Sequence, residues 1–295
     1  MLALDSVNRP RSIFFGLSSF QALAMFRRGI FYTFLGVYLR SNLGLSVTET
    51  TLFETLPMLL NIAFQTFVWG RLTDRLQLRR SLIVAGELLA SVGHLAMWYL
   101  HSVNPDPRVS GYVIIWGLTI IEAFWSMSNI GWSAYISDVY APAERNAIQG
   151  KLASVGGGGR MAGAMLGGFL YDGLGKAYPG WGFKEGGIFF VAALVMLVSV
   201  IPLLFMPEGG IRSRAFPGEK AAAAPAGAGR GNSGDARVFA VFIAAMLLIN
   251  CGINSLTAFR AQYLDLEEGF AASARTISLV ANVESAALIL VGCFL

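Results

Sequence analysis

Two histidines, two cysteines and a 14% share of charged residues leave this 295-residue chain little of what soluble chemistry needs. His94 and His101 are its only imidazoles, and neither a metal-binding H-E-x-x-H nor a Ser/His pairing can be built from them. Cys251 and Cys293 both fall inside apolar runs, where they read as small buried hydrophobes and not as a disulfide. No G-x-x-x-x-G-K-[ST] loop is present, which excludes direct drive by ATP through that motif. The opening residues, MLALDSVNRPRS, lack the apolar stretch and small-residue cleavage site of a signal peptide. Soluble domains carry about 25% charged residues, so a soluble globular protein is excluded as well.

What the chain has is apolar length. Hydrophobic residues make up 55% of it and the mean hydropathy is +0.59. A bilayer crossing takes about 20 mostly apolar residues, and uncharged runs such as GIFFVAALVMLVSVIPLLF (187–205) meet that length. Apolar runs between polar punctuation predict eight helices, over 12–39, 51–69, 81–100, 112–135, 148–171, 187–205, 238–259 and 276–295. Barrel strands are excluded, because the runs do not alternate apolar and polar. The fold class is therefore an all-α polytopic membrane protein, with the lipid bilayer as its solvent.

The net charge of +4 follows from the loops, and implies no nucleic-acid partner. Thirteen Lys/Arg fall on the N-terminal side of the predicted bundle. Four (Arg40, Arg108, Lys176 and Lys184) fall on the other side. The positive-inside rule then predicts a cytoplasmic N-terminus, in a bacterial-type inner or cell membrane. The stretch GEKAAAAPAGAGRGNSGD has no periodic apolar face and reads as a linker. The organisation predicted is a six-helix bundle over 1–206, a flexible cytoplasmic linker over 207–237, and two helices over 238–295. The sequence stops within an apolar run at LILVGCFL, so a C-terminally truncated piece of a twelve-helix protein is expected.

Two motifs carry a resemblance. GRLTDRLQLRR, between the second and third helices, is similar to the signature loop of the major facilitator superfamily, G-x-L-x-D-R-x-x-x-R-R. Gly70, Leu72, Asp74, Arg75, Arg79 and Arg80 fall in place, and Gln77 stands where the family often has glycine. On physical grounds Gly70 would admit a close neighbouring helix, Asp74 would accept from a helix N-terminus, and the arginines would sit among anionic headgroups. In the fifth helix, Gly150, Gly159, Gly163, Gly167 and Gly168 resemble the glycine motif of that superfamily's drug:proton antiporter branch, with Ala164 at the branch's proline. As a helix, Gly159, Gly163 and Gly167 form one stripe, the pattern that lets membrane helices pack backbone to backbone. The resemblance implies an MFS-type six-helix bundle plus the first two helices of a second. It also implies a secondary active transporter working by alternating access, without a cofactor or metal.

Charges at membrane depth are expensive, roughly 2.5–3.5 kcal/mol each on insertion scales, and are candidate functional groups for that reason. Arg27 and Arg28 in the first helix, Glu122 in the fourth and Arg160 in the fifth lie near mid-depth. The resemblance places these three helices around a central cavity. Glu122 stands where proton-coupled relatives carry an arginine, in LTIIEAFWSMS. The expectation is that Glu122 pairs with one arginine and exchanges it for a proton or ligand, leaving another to bind an anionic group. A permanent structural salt bridge is the competing reading. Asn250, Asn254 and Glu284 are further candidates for substrate or coupling contacts. Asn61 and Gln65 line the pathway or bond between helices, and Glu87 and His94 read as packing residues. The expected partners are a small-molecule substrate and a proton, and a full-length product is expected to be a monomer. Efflux of lipophilic compounds and transport of an organic anion both stay open. A non-transporting membrane scaffold or receptor stays open for a true eight-helix product.

Overall fold

The computed structural model describes residues 4–210, then 237–238, 241, 244–245 and 248, and finally 260–266 and 269–294. The described residues are helical and contain no strand. Helix α1 runs Leu4–Val37 and continues as a π-helical turn, Tyr38–Asn42. Helix α2, Val47–Ala63, opens on a capping box in which Ser46 and Glu49 satisfy each other's backbone N–H groups. It passes through a π segment, Phe64–Trp69, into the short α3, Gly70–Leu76. Helices α4 (Arg79–Ser102), α5 (Pro107–Val139) and α6 (Pro142–Tyr171) follow. Both α5 and α6 start with proline at their first position, where the missing N–H has no intrahelical partner to lose. A single turn, α7 (Trp181–Lys184), leads into α8 (Gly187–Leu204), and α9 spans Ala274–Phe294.

The six predicted crossings of the first bundle are thus α1, α2 with α3, α4, α5, α6 and α8. Most run past the predicted limits, and α5 extends from Pro107 to Val139. By length and composition, four spans among the described residues (Val47–Leu76, Arg79–Ser102, Pro107–Val139 and Gly187–Leu204) are apolar enough to cross a membrane. Helix α1 packs on α6 and α8, α4 on α5 and α8, α2 on α5, and α9 on α6. The half of the bundle away from the 70–80 loop is closed by an aromatic core. There Phe31 meets Phe183 and Phe189 edge-on, and Tyr38 stacks on Phe183 at 4.9 Å.

The glycine stripe of α6 lies against α1. A Cβ at Gly159, Gly163 or Gly167 would fall on the carbonyl oxygen of Ala22, Phe26 or Ile30, each one turn further along α1. Gly29 reciprocates against the Arg160 carbonyl. The opposite side of α6 serves α9. Gly157 faces the Ser285 carbonyl, Gly168 faces Ser278, and the Ala164 carbonyl accepts from Ser278 Oγ at 2.9 Å. Gly150 is buried, and its carbonyl accepts from Ser154. With alanine at 164, α6 is one continuous helix.

The 70–80 loop departs from expectation in three respects. A Cβ on Gly70 would meet the Gln65 carbonyl of its own chain at 2.8 Å, and the Gly70 N–H donates to that same oxygen. The glycine therefore closes the π segment and does not admit a neighbouring helix. Asp74 is exposed and touches no helix N-terminus. It stands 4.0 Å from Arg79, whereas Asp138 at the end of α5 takes the Arg79 Nε at 2.9 Å. Arg79 is buried, donating also to the Thr73 carbonyl, so it anchors protein and not headgroups. Arg80 likewise donates to the Met206 carbonyl and pairs with Glu208. Leu72 is half-buried, while Arg71 and Arg75 are exposed. Gln77 adopts φ 57°, the left-handed conformation that glycine takes freely, and ends α3 there.

Residues 207–210, assigned from the sequence to the linker, belong to the packed bundle. The Pro207 carbonyl accepts from Tyr135, Glu208 accepts from Ser81, and the Gly210 N–H donates to Asp138. The remainder of the predicted linker to 236, and most of the predicted seventh helix, lie outside the described residues.

Candidate functional site

Adjacent residues on a helix point about 100° apart, and α1 uses this to send two neighbouring arginines to different places. Arg27 turns into the bundle and is 1% exposed. Arg28 turns toward an open face, with 42% of its side chain exposed. Both guanidinium groups lie over the Trp125 ring of α5, Arg28 at 4.5 Å and Arg27 at 5.4 Å from its centre. Glu122, one turn before Trp125, is buried and reaches Arg28 at 3.9 Å. Direct N–H···O contacts between such charges sit at about 2.7–2.9 Å, so this is a coulombic neighbour and not a hydrogen bond.

Glu122 is held by another helix. The Asn61 amide donates to its Oε1 at 2.9 Å, and Gln65 donates to the Asn61 oxygen at 2.6 Å. The α2 face that carries this relay also carries Glu54, two turns before Asn61 and within electrostatic reach of Arg28 and Arg160. Tyr32 of α1 lies within reach of Arg27, Arg28 and Glu122. Beside the cluster is a pocket of about 130 Å³, lined by Phe20, Gln21, Arg28, Trp125, Asn129 and Trp132.

Arg27, Arg28 and Glu122 are therefore brought together, and Arg160 adjoins through Glu54. Asn250 and Asn254 lie outside the described residues; Glu284 falls in α9, but its side chain is not among those described. Two further carboxylates adjoin these groups. Glu54 is half-buried beside two arginines. Glu87, read as a packing residue, is 1% exposed, accepts from Ser128 Oγ at 2.8 Å and lies beside the Trp125 side chain. For Glu87, position within a predicted helix was the available signal, as it was for Glu122; Glu54 stands near the start of its predicted helix, 51–69, where no such signal exists. His94 is fully buried against the edge of Phe31, as a packing residue should be. No cluster of three metal-ligating side chains occurs among the described residues.

A bundle of membrane-length helices, with arginines and carboxylates facing one another at mid-depth, defines the class: an integral, multi-pass membrane protein of the transporter kind. Residues 17–295 match the family model of the Major Facilitator Superfamily, and the chain belongs to that family. Comparisons with curated proteins and with solved structures return no match. Members of the superfamily are secondary transporters, and that general function is this chain's.

Proposed function

We propose that the chain moves a small organic solute bearing an anionic group, by alternating access, with its N-terminus and 70–80 loop in the cytoplasm. The observation that carries this reading is Arg28. It is half-exposed, stacked on an indole, beside a pocket, and held only at 3.9 Å by Glu122. Glu122 keeps its Asn61 hydrogen bond whether or not Arg28 stays. A solute carboxylate can thus take the arginine without leaving Glu122 bare, and Trp125 and Trp132 favour an aromatic or flat apolar body beside that carboxylate. Among the described side chains, Glu54, Glu87 and Glu122 stand against Arg27, Arg28 and Arg160 inside the bundle. The anion preference rests on how loosely Arg28 is held, not on a surplus of positive charge.

The glycine motif alone favours the antiporter branch, but its α1-facing and α9-facing contacts are packing seams that any of these transporters needs. Counterflow of labelled benzoate in vesicles tests the proposal. A charge-assisted hydrogen bond contributes about 1.5–3 kcal/mol, so Arg28→Gln should raise the half-saturating benzoate concentration about 10- to 100-fold. Equal transport of benzylamine, or an Arg28→Gln variant with unchanged saturation, would sink the anion reading. No flux of any solute would favour a scaffold.

A further inference from the structure

The pocket beside Arg28 holds more polar groups than a single carboxylate would use. It lies where α1 and α5 face each other through side chains, since α1 packs on α6 and α8, and α5 on α4 and α2. One end is Arg28 stacked on Trp125. At the other, Phe20 is buried in a cluster against which Trp132 packs. Two amides line the wall as well, Gln21 from α1 and Asn129 from α5. Asn129 stands one helical turn from each tryptophan, and Gln21 two turns from Arg28.

Neither amide is committed elsewhere. Asn61 and Gln65 are occupied by Glu122 and by each other, and the Ser128 hydroxyl, also at the pocket, donates to Glu87. Gln21 and Asn129 have no hydrogen-bond partner among the described residues. Gln21 lies against Gly156 of α6, where a Cβ would come within 3.0 Å of its Nε2, so the glycine leaves this amide its room. The helix repeat sets the spacing. The Arg28 guanidinium lies over Trp125, and Asn129 is four residues further along α5, a rise of about 6 Å. That is close to the span of a benzene ring from one substituent to the opposite one, and the Trp125 face lies between for the ring itself. An amide both donates and accepts, so the two can take a hydroxyl in either role. A ring ending in carbon at that point strips them of water and returns no hydrogen bond.

We infer that Gln21 and Asn129 are specificity-determining residues, and that the solute is a flat carboxylic acid with a second hydrogen-bonding group opposite its carboxylate. The inference rests on the anion reading proposed above and narrows it. Arg28 takes the carboxylate, Trp125 the ring, and the two amides the far group, for which para-hydroxybenzoate is the simplest form.

Competition with labelled benzoate in the counterflow assay ranks the solutes. One neutral hydrogen bond changes affinity about 3- to 10-fold, so para-hydroxybenzoate should half-saturate at a concentration lower than benzoate by that factor. It should bind at least about 5-fold tighter than para-methylbenzoate, which leaves both amides unpaired. With its hydroxyl beside the carboxylate, ortho-hydroxybenzoate should gain nothing over benzoate. In Asn129→Leu the ratio of para-hydroxybenzoate to benzoate should fall to within about 2-fold of one, and Gln21→Leu should reduce it. Because the ratio is taken within each variant, lost folding or expression does not imitate the result, and the wild-type ranking needs no variant. Equal saturation by the para-hydroxy and para-methyl acids in the wild type, or a ratio unchanged in both variants, overturns the inference. The anion reading fails differently, with benzylamine competing as well as benzoate; para-hydroxybenzylamine against benzylamine then decides the amides without any carboxylate. If benzoate shows no counterflow, equilibrium dialysis of the same acids on the purified protein gives the ranking, and binding of none overturns both readings.

Discussion

The four consecutive glycines 156–159 allow one chemical change to be made in four different surroundings. A new Cβ at Gly158 has nothing within 4 Å, so Gly158→Ala should gain only helix propensity, about 1 kcal/mol. At Gly156 it meets Gln21 Nε2 and Met25 Cγ, both at 3.0 Å. These are flexible side chains that yield, and the net effect should be near zero. At Gly157 it meets Ile289 at 2.7 Å and the Ser285 carbonyl at 3.1 Å, so the α6–α9 contact is strained. At Gly159 it falls on the Ala22 backbone, and α1 must move. Gly158→Ala and Gly159→Ala gain the same propensity, so the difference between them isolates the overpacking cost, about 1–3 kcal/mol. At roughly 2 °C per kcal/mol for a chain of this size, the melting points should differ by roughly 2–6 °C. Thermal unfolding in detergent, followed by circular dichroism, gives the four values. Coincident melting points for the 158 and 159 variants, or a more damaging change at 158, would refute the assignment of the seam to α1.

Other expectations follow from the loop and the site. Asp138→Asn strips the buried Arg79 of its charged acceptor and should destabilise the protein by about 2 kcal/mol. Asp74→Ala, at an exposed side chain, should stay within about 0.5 kcal/mol; denaturation of the two variants separates them. Trp125→Leu removes the ring shared by both arginines, worth about 0.5–2 kcal/mol, and should weaken benzoate binding by up to about 30-fold in equilibrium dialysis. Burial, and then the nearby Asp265, push the Asp172 carboxyl above its ordinary value. Its folded-state preference for the proton stabilises the protein fully at acid pH and is lost as pH rises through the raised value. Wild type should therefore lose melting temperature across that window, and Asp172→Asn should not.

The helices and their order were legible because bilayer crossing demands apolar length, which four of the described spans have outright and α1 and α6 approach between their charges. The glycine stripe was legible because a four-residue repeat names a helix face without naming the neighbour. What the repeat could not convey is that α6 has two such faces, one for α1 and one for α9. The π segment 64–69 was invisible, since apolar periodicity does not distinguish five-residue from four-residue hydrogen bonding, and so the purpose of Gly70 was misread. Asp138 was missed because it lies 59 residues from Arg79. Glu87 was read as a packing residue because a single helix does not reveal that it lies within electrostatic reach of Arg27.

The distribution of charge over the helices also bears on how the bundle is assembled. Among the described side chains, the positive charges of the cluster sit on α1 and α6, and its carboxylates on α2, α4 and α5, one to each. Neither α1 nor α6 is among the spans that cross on hydropathy alone. A helix carrying two arginines near mid-depth has to overcome several kcal/mol on entering lipid by itself. Its counter-charges come with α2, α4 and α5, Glu122 of α5 being made last. The first helix made is thus among the last to be settled: α1 must wait at the membrane insertion machinery, or at the interface, until about a hundred later residues have emerged.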